Sequence, residues 1–229
     1  KNLTVSVLYR VDLSALKTGN YDQAFTYLGP LTDPERSDNR DVFLFPERMR
    51  IDGRAQYLMI HRPKNPGAYR TGLTTPSLFL ACADTLSGLP QNPSRDELLA
   101  EPLFPWEGNR IGGSTPPLRI DQGRWLLPYH GKQDDRVGYT QSFLILKEVE
   151  DRLPVVAHRC SERFLFAEKD WELQGKFPIP CIFTCGAIRS GDDLLMAYGA
   201  ADTVCGTART NLRELIAYVE RFDAAGTKH

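Results

Sequence analysis

Short apolar runs, each closed by Gly, Pro, Asp or Asn, recur from one end of the chain to the other. Residues 42–45 (Val-Phe-Leu-Phe) form one such run, and Pro46 closes it. Asp52-Gly53 is a two-residue hairpin signal, residues 57–60 (Tyr-Leu-Met-Ile) read as the return strand, and Pro63 ends it. The same grammar predicts strands at 3–11, where the alternating pattern reaches back to Lys1, and at 25–28, 76–83, 125–129, 137–149, 154–158 and 164–166. It also predicts two neighbouring strands, 194–198 and 204–208, joined by Gly199-Ala200-Ala201-Asp202-Thr203. Two segments break the pattern. Ser94-x-x-Glu97 is a capping box and predicts a short surface helix within 92–100. Asn211-x-x-Glu214 opens a second helix over 210–222, with Leu212, Leu215, Ile216 and Val219 on one face to pack outside the last sheet; the tail 223–229 is small and polar and should fray. The expectation is a single all-β domain, and periodicity leaves sandwich, barrel and propeller open.

Composition narrows the class. A chain of 229 residues, 25% charged with a net charge of −1, can bury a sizeable core and carries no nucleic-acid footprint. No apolar run reaches membrane-span length and no secretory h-region opens the chain. It starts at Lys1, already in strand pattern, so the expectation is a chain lacking its natural N-terminus. Five cysteines, Cys82, Cys160, Cys181, Cys185 and Cys205, are an odd number in mostly apolar context. Cys181-x-x-x-Cys185 with Cys205 lacks a fourth ligand at zinc-like spacing, so buried free thiols, no metal and a reducing, cytoplasmic setting are expected.

Candidate chemistry gathers at strand ends. An antiparallel hairpin brings Arg40 at its entrance and His61 and Arg62 at its exit to one rim, where guanidinium forks suit phosphate or carboxylate. Solvated charge at strand ends is the other reading. Gly112-Gly113 followed by Pro116-Pro117 makes a loop through which backbone can approach a ligand closely, and Tyr129-His130-Gly131 closes the strand that follows. His130 suits an anion near neutral pH, or a bond to a turn carbonyl. Asp202 can accept from two sugar hydroxyls, or cap its own turn.

Asn39-Arg40-Asp41, Leu44-Phe45-Pro46-Glu47-Arg48, Asp52-Gly53-Arg54 and His61-Arg62-Pro63 resemble the core signature of glycoside hydrolase family 130. Two later stretches resemble it too: 106–131, with its Gly-Gly, Pro-Pro and Trp-Leu-Leu-Pro-Tyr-His-Gly, and 175–208, with Tyr-Gly-Ala-Ala-Asp-Thr. The resemblance runs from about Leu28 to about Ala208 and implies a five-bladed β-propeller, N-terminally incomplete here. It implies an inverting phosphorylase that cleaves β-mannosides with inorganic phosphate as co-substrate and needs no cofactor; a β-mannoside hydrolase and a non-catalytic sugar-binding propeller are the alternatives. Arg40, Arg62 and His130 would hold phosphate; Asn39, Asp41, His61, Tyr129 and Asp202 would hold an oligosaccharide or mannoside. Neither nucleic acid nor membrane is an expected partner, and a homo-oligomer stays open. Lys176 and Pro180 depart from the acidic and Asn positions of the family's loop, and Met49-Arg50 and 65–93 are atypical. The family's general acid lies in a Glu-Asp-Pro-Arg type motif well upstream. Asp33-Pro34-Glu35-Arg36 is similar but sits too close to Asn39 to be it, so no catalytic acid is assigned.

Overall fold

The computed structural model describes residues 3–134 and 136–229, so Lys1 and Asn2 of the first predicted strand lie outside the described residues. Every paired strand in its four sheets is antiparallel. β1 (Val7–Val11) and β2 (Phe25–Pro30) form a separate two-stranded ribbon, with α1 (Leu13–Lys17) and α2 (Tyr21–Ala24) between them. The first large sheet holds β3 (Asn39–Leu44), β4 (Met49–Ile51), β5 (Arg54–Pro63), β6 (Leu78–Ala83) and β7 (Arg95–Ala100). The second holds β8 (Ile111–Gly113), β9 (Leu118–Asp121), β10 (Arg124–Lys132), β11 (Tyr139–Val149) and β12 (Arg152–Arg159). After α3 (Asp170–Leu173), β13 (Ile182–Ser190), β14 (Asp193–Ala200) and β15 (Val204–Asn211) make a third, three-stranded meander, followed by α4 (Leu212–Val219).

The central hairpin is a split one. β5 pairs with β4 across the Asp52-Gly53 turn and with β3 further along. Asp52 (φ 51°) and Gly53 (φ 75°) are both left-handed, as a two-residue turn that matches strand twist requires. Where β3 meets β5, Arg40 faces Arg62 and Phe43 faces Ile60, so two residues, Asp41 and Val42, oppose His61 alone. This is a β-bulge, and Asp41 takes its left-handed position at φ 52°.

Strand period 2 divides the core. Trp125, Leu127 and Tyr129 of β10 pack with Ile51, Leu58, Ile60, Leu78 and Leu80 of the first sheet. Leu126 of β10, with Phe143 and Ile145 of β11, packs the other way, against Leu194 and Met196 of the third sheet and Leu212, Leu215 and Val219 of α4. Asn211 caps α4 by accepting from the backbone N–H groups of Arg213 and Glu214, as its capping pattern predicts.

Four local expectations need correction; the first is the tail 223–229, which does not fray but is held by a Phe222–Lys228 bridge and by Lys228 on Glu162 at 2.7 Å. The predicted helix at 92–100 is strand β7: Ser94 N–H donates to the Cys82 carbonyl at 2.7 Å, and Arg95 pairs with Cys82 at the open side of β6. A sheet edge offered a full ladder, which outweighs a local capping pattern with no apolar stripe behind it. Residues 164–166 make only an isolated bridge, Leu165 to Gln141, beyond the end of β12. Cys185 and Cys205 are exposed, although all five cysteines are free as expected. Cys185 sits in the β13 bulge between Thr184 and Gly186, and Cys205 lies on β15, an edge strand of its sheet among the described residues. Burial holds the other thiols unreactive, pushing Cys82 up to about 11 and Cys181 up to about 12. No helix among the described residues is long and apolar enough to cross a membrane.

Candidate anion and sugar site

The bulge in β3 sets the site. It turns the Asp41 carboxylate onto the Arg62 guanidinium, with Oδ2 at 2.6 Å from Nε. The same oxygen lies 3.4 Å from Nε2 of His130, which reaches in from the second sheet. Arg40 and Arg62 are direct cross-strand partners. Like charges there repel, and the carboxylates of Asp38 and Asp41 offset them: Arg40 forms a two-pronged pair with Asp38 at 3.2 and 3.3 Å. The hydrogen bond to Asp38, against a cost of burial, raises the Arg40 guanidinium above its ordinary value, and nearby Asp41 and Tyr139 add to the rise. Arg62 and His130 thus converge on Asp41, and Arg40, held by Asp38, stands beside them as the cross-strand partner of Arg62.

His130 is fully buried, and the third sheet supplies one wall: the Phe183 ring lies 4.4 Å from its ring, with Tyr139 of β11 at 5.8 Å. Three sheets therefore meet at this residue. The meeting depends on Gly112, the cross-strand partner of His130. A Cβ there would stand 2.0 Å from Asp41 Oδ2 and 2.7 Å from His130 Cε1. The Gly-Gly loop serves close approach, as expected from sequence, but the approaching groups are Asp41 and His130.

Asn39 and His61 form a second cluster in the first sheet. Asn39 Nδ2 donates to His61 Nδ1 at 2.9 Å and to the Tyr69 hydroxyl at 3.2 Å. His61 Nε2 faces Asp96 Oδ1 at 2.9 Å, and Arg36 holds the other Asp96 oxygen at 2.8 Å. With Asn39 donating, His61 is the tautomer that carries its proton on Nε2 and gives it to Asp96. Two buried polar atoms in these clusters have no hydrogen-bond partner: Asn39 Oδ1 and His130 Nε2. Unpaired buried polar atoms are costly, and a ligand that pairs them removes the cost.

Tyr129 is not brought to the site. Alternation along β10 turns it to the opposite face from His130, where its hydroxyl donates to Glu107 Oε1 at 2.7 Å in the core. Burial first, and Glu107 second, push that phenol well above its ordinary value. Asp202 is exposed in the turn after β14, left-handed at φ 50°. It makes no hydrogen bond or ion pair with the Asp41 cluster, and its link is indirect: β14 pairs with β13, which carries Phe183.

Sequence reading missed Asp96, Ser114 and Gln141. The signal for Gln141 was a polar run, Thr140-Gln141-Ser142, inside an otherwise apolar strand; all three are buried.

Asp41 cannot serve as a general acid at neutral pH. Burial alone would raise its pKa, but His130 and Arg62 overcome that and bring it to about 2. Because the folded value lies below the unfolded one of about 3.9, its contribution to stability is present above that value. It is lost as the pH falls through about 2. Thermal melts from neutral to strongly acidic pH should therefore show wild type losing its advantage over Asp41→Asn across that window. A constant difference would remove the ionised-Asp41 assignment.

The model of glycoside hydrolase family 130, described as beta-1,4-mannooligosaccharide phosphorylase, matches residues 16–221. A 1,2-beta-oligomannan phosphorylase of Thermoanaerobacter sp. (strain X514) is 32% identical over 178 residues, covering 77% of this chain and 52% of that protein. A beta-1,2-mannobiose phosphorylase of Listeria innocua is 29% identical over 206 residues, 90% of this chain and 52% of that one. The solved structure of a Listeria innocua beta-1,2-mannobiose phosphorylase in complex with beta-1,2-mannobiose aligns with a TM-score of 0.66 at 27% identity, over 86% of this chain and 50% of that one. This chain spans about half the length of these relatives. The meander sheets are thus propeller blades, and among the described residues three stand where the full ring expected from sequence has five. The matched span takes in every element of the two clusters, and the chain belongs to glycoside hydrolase family 130.

Proposed function

We propose that this chain carries the phosphate side of an inverting β-mannoside phosphorylase site. The observation that supports it most is the convergence of Arg62 and buried His130 Nε2 on one carboxylate, with Arg40 the cross-strand partner of Arg62. Asp41 keeps the cations close and engages Arg62 through Nε, so an arriving phosphate meets donors already aligned. In the proposed reaction a phosphate oxygen bonds to the anomeric carbon from one face while the glycosidic C–O bond breaks on the other. The leaving oxygen takes a proton from a general acid, which is a group other than ionised Asp41. Products are a sugar 1-phosphate and the shortened sugar. Inorganic phosphate is a co-substrate, and no further cofactor is invoked. Asn39, with its free Oδ1, and Asp202 are proposed to bind mannoside hydroxyls, with His61 holding Asn39 in place. Relatives named for β-1,2- and β-1,4-linked mannosides point to that substrate class. A hydrolase has no use for two guanidiniums and an imidazole gathered at one end of a hairpin, so the cluster favours phosphorolysis over hydrolysis.

Titration calorimetry tests the assignment. Arg62→Ala should weaken inorganic phosphate binding about tenfold or more, the loss expected for one charge-assisted bond. Mannobiose binding should change far less. Equal losses for both ligands, or a loss confined to the sugar, would count against it.

A further inference from the structure

We propose that Gln141 and Ser114 are positioning residues that fix the tautomer of His130, placing a proton on Nδ1 and turning Nε2 to the anion site. The chain of donors begins in the third sheet. Gln141 Nε2 donates to the Ile182 carbonyl at 2.8 Å. Rotating the amide would set its oxygen against that carbonyl, acceptor to acceptor, so the orientation is forced. Gln141 Oε1 then faces Ser114, whose hydroxyl donates to it at 2.6 Å. A hydroxyl has one proton. Having given it to Gln141, Ser114 Oγ can only accept, and the group facing it at 3.3 Å is His130 Nδ1. Nδ1 therefore carries a hydrogen; Nε2 faces the Asp41 carboxylate at 3.4 Å, which favours a second proton there, so Ser114 and Gln141 fix the Nδ1 proton while Asp41 acts on Nε2.

Packing supports the arrangement. Ser114 and Gln141 are both buried, and His130 and Gln141 are cross-strand partners, so the ladder fixes their spacing. Gln141 is held a second time by its backbone bonds with Leu165. Phe183 and Tyr139 restrict the ring from its sides. The outcome at Nε2 is useful for an anion that exists in two protonation states near neutral pH. Protonated, Nε2 donates to a bare phosphate oxygen; unprotonated, it accepts from a P–OH. His61 shows the reverse lock, with its hydrogen on Nε2.

The tautomer stands independently of the phosphate reading; the effect on phosphate affinity rests on it. Nitrogen-15 histidine NMR at about pH 8 reads the tautomer. The chain has four histidines, and an His130→Asn variant identifies the signal. Wild type should show Nδ1–H at His130. Gln141→Met removes the acceptor and frees the Ser114 proton for Nδ1, so the ring should switch towards Nε2–H. Ser114→Ala should release the fixed tautomer and weaken inorganic phosphate binding about tenfold, and Ser114→Thr should restore both. A wild-type ring with no hydrogen on Nδ1, or an unchanged ring in Gln141→Met, overturns the proposal. So does unchanged phosphate affinity in Ser114→Ala when wild type binds phosphate. If wild type binds none, the phosphate reading fails, and the NMR result alone decides the role of Ser114 and Gln141.

Discussion

Glu107→Ala is expected to destabilise the fold by about 3–5 kcal/mol, the cost of stripping one partner from a buried ion pair. That is a large part of the roughly 5–15 kcal/mol that holds a typical domain together. Glu107 is fully buried in the turn before β8, and Arg159 of β12 is nearly so. Their charged atoms are 2.6 Å apart. The same Glu107 oxygen accepts from Tyr129, and the other accepts from the backbone N–H groups of Leu103 and Phe104. Truncation strands a guanidinium and a phenol in an apolar core and takes the acceptor from two backbone N–H groups at its edge. Chemical denaturation measures the loss. Pairing Glu107→Leu with Arg159→Met should recover much of it, because removing both charges leaves no unpaired ion. A loss below about 1 kcal/mol for Glu107→Ala would contradict the assignment of this pair as buried and paired.

Gly112→Ala is expected to cost the anion site more than it costs the fold. The new methyl overlaps Asp41 Oδ2 and His130 Cε1, at 2.0 and 2.7 Å. Neither can move freely: Asp41 is tied to Arg62, and His130 is walled by Phe183. Overpacking of this kind costs about 1–3 kcal/mol. Phosphate affinity should fall about a hundredfold as His130 and the Asp41-held Arg62 lose their alignment, on the order of 1.4 kcal/mol for each tenfold step. Gly186→Ala, where a Cβ meets nothing within 4 Å, is the control and should leave phosphate affinity unchanged. Wild-type phosphate affinity in Gly112→Ala would show that Asp41 and His130 do not act together.

The motifs around the site were legible because each is local. The 39–63 hairpin reads in Pro and Asp-Gly signals, and the α4 cap reads in Asn211-x-x-Glu214. That Arg40 and Arg62 share a rim follows from antiparallel pairing alone. The bulge at Asp41 did not show in the sequence, since an aspartate at φ 52° has no local signature beyond tolerance of left-handed backbone. Tyr129 was misplaced because three adjacent motif residues were read as one unit, although strand alternation sends Tyr129 and His130 to opposite faces. Asp96 was hidden inside a capping pattern that the edge of β6 overrode. Ser114 and Gln141 matter only through contacts between strands and between sheets, which spacing does not report.

Whether glycosidic cleavage depends on phosphate decides between phosphorolysis and hydrolysis. The natural full-length protein would be incubated with β-1,2- or β-1,4-mannobiose, with and without inorganic phosphate, and the products followed by phosphorus NMR. Cleavage is expected only with phosphate, with mannose 1-phosphate appearing. Equal cleavage without phosphate, with free mannose the sole product, would contradict the phosphorylase reading.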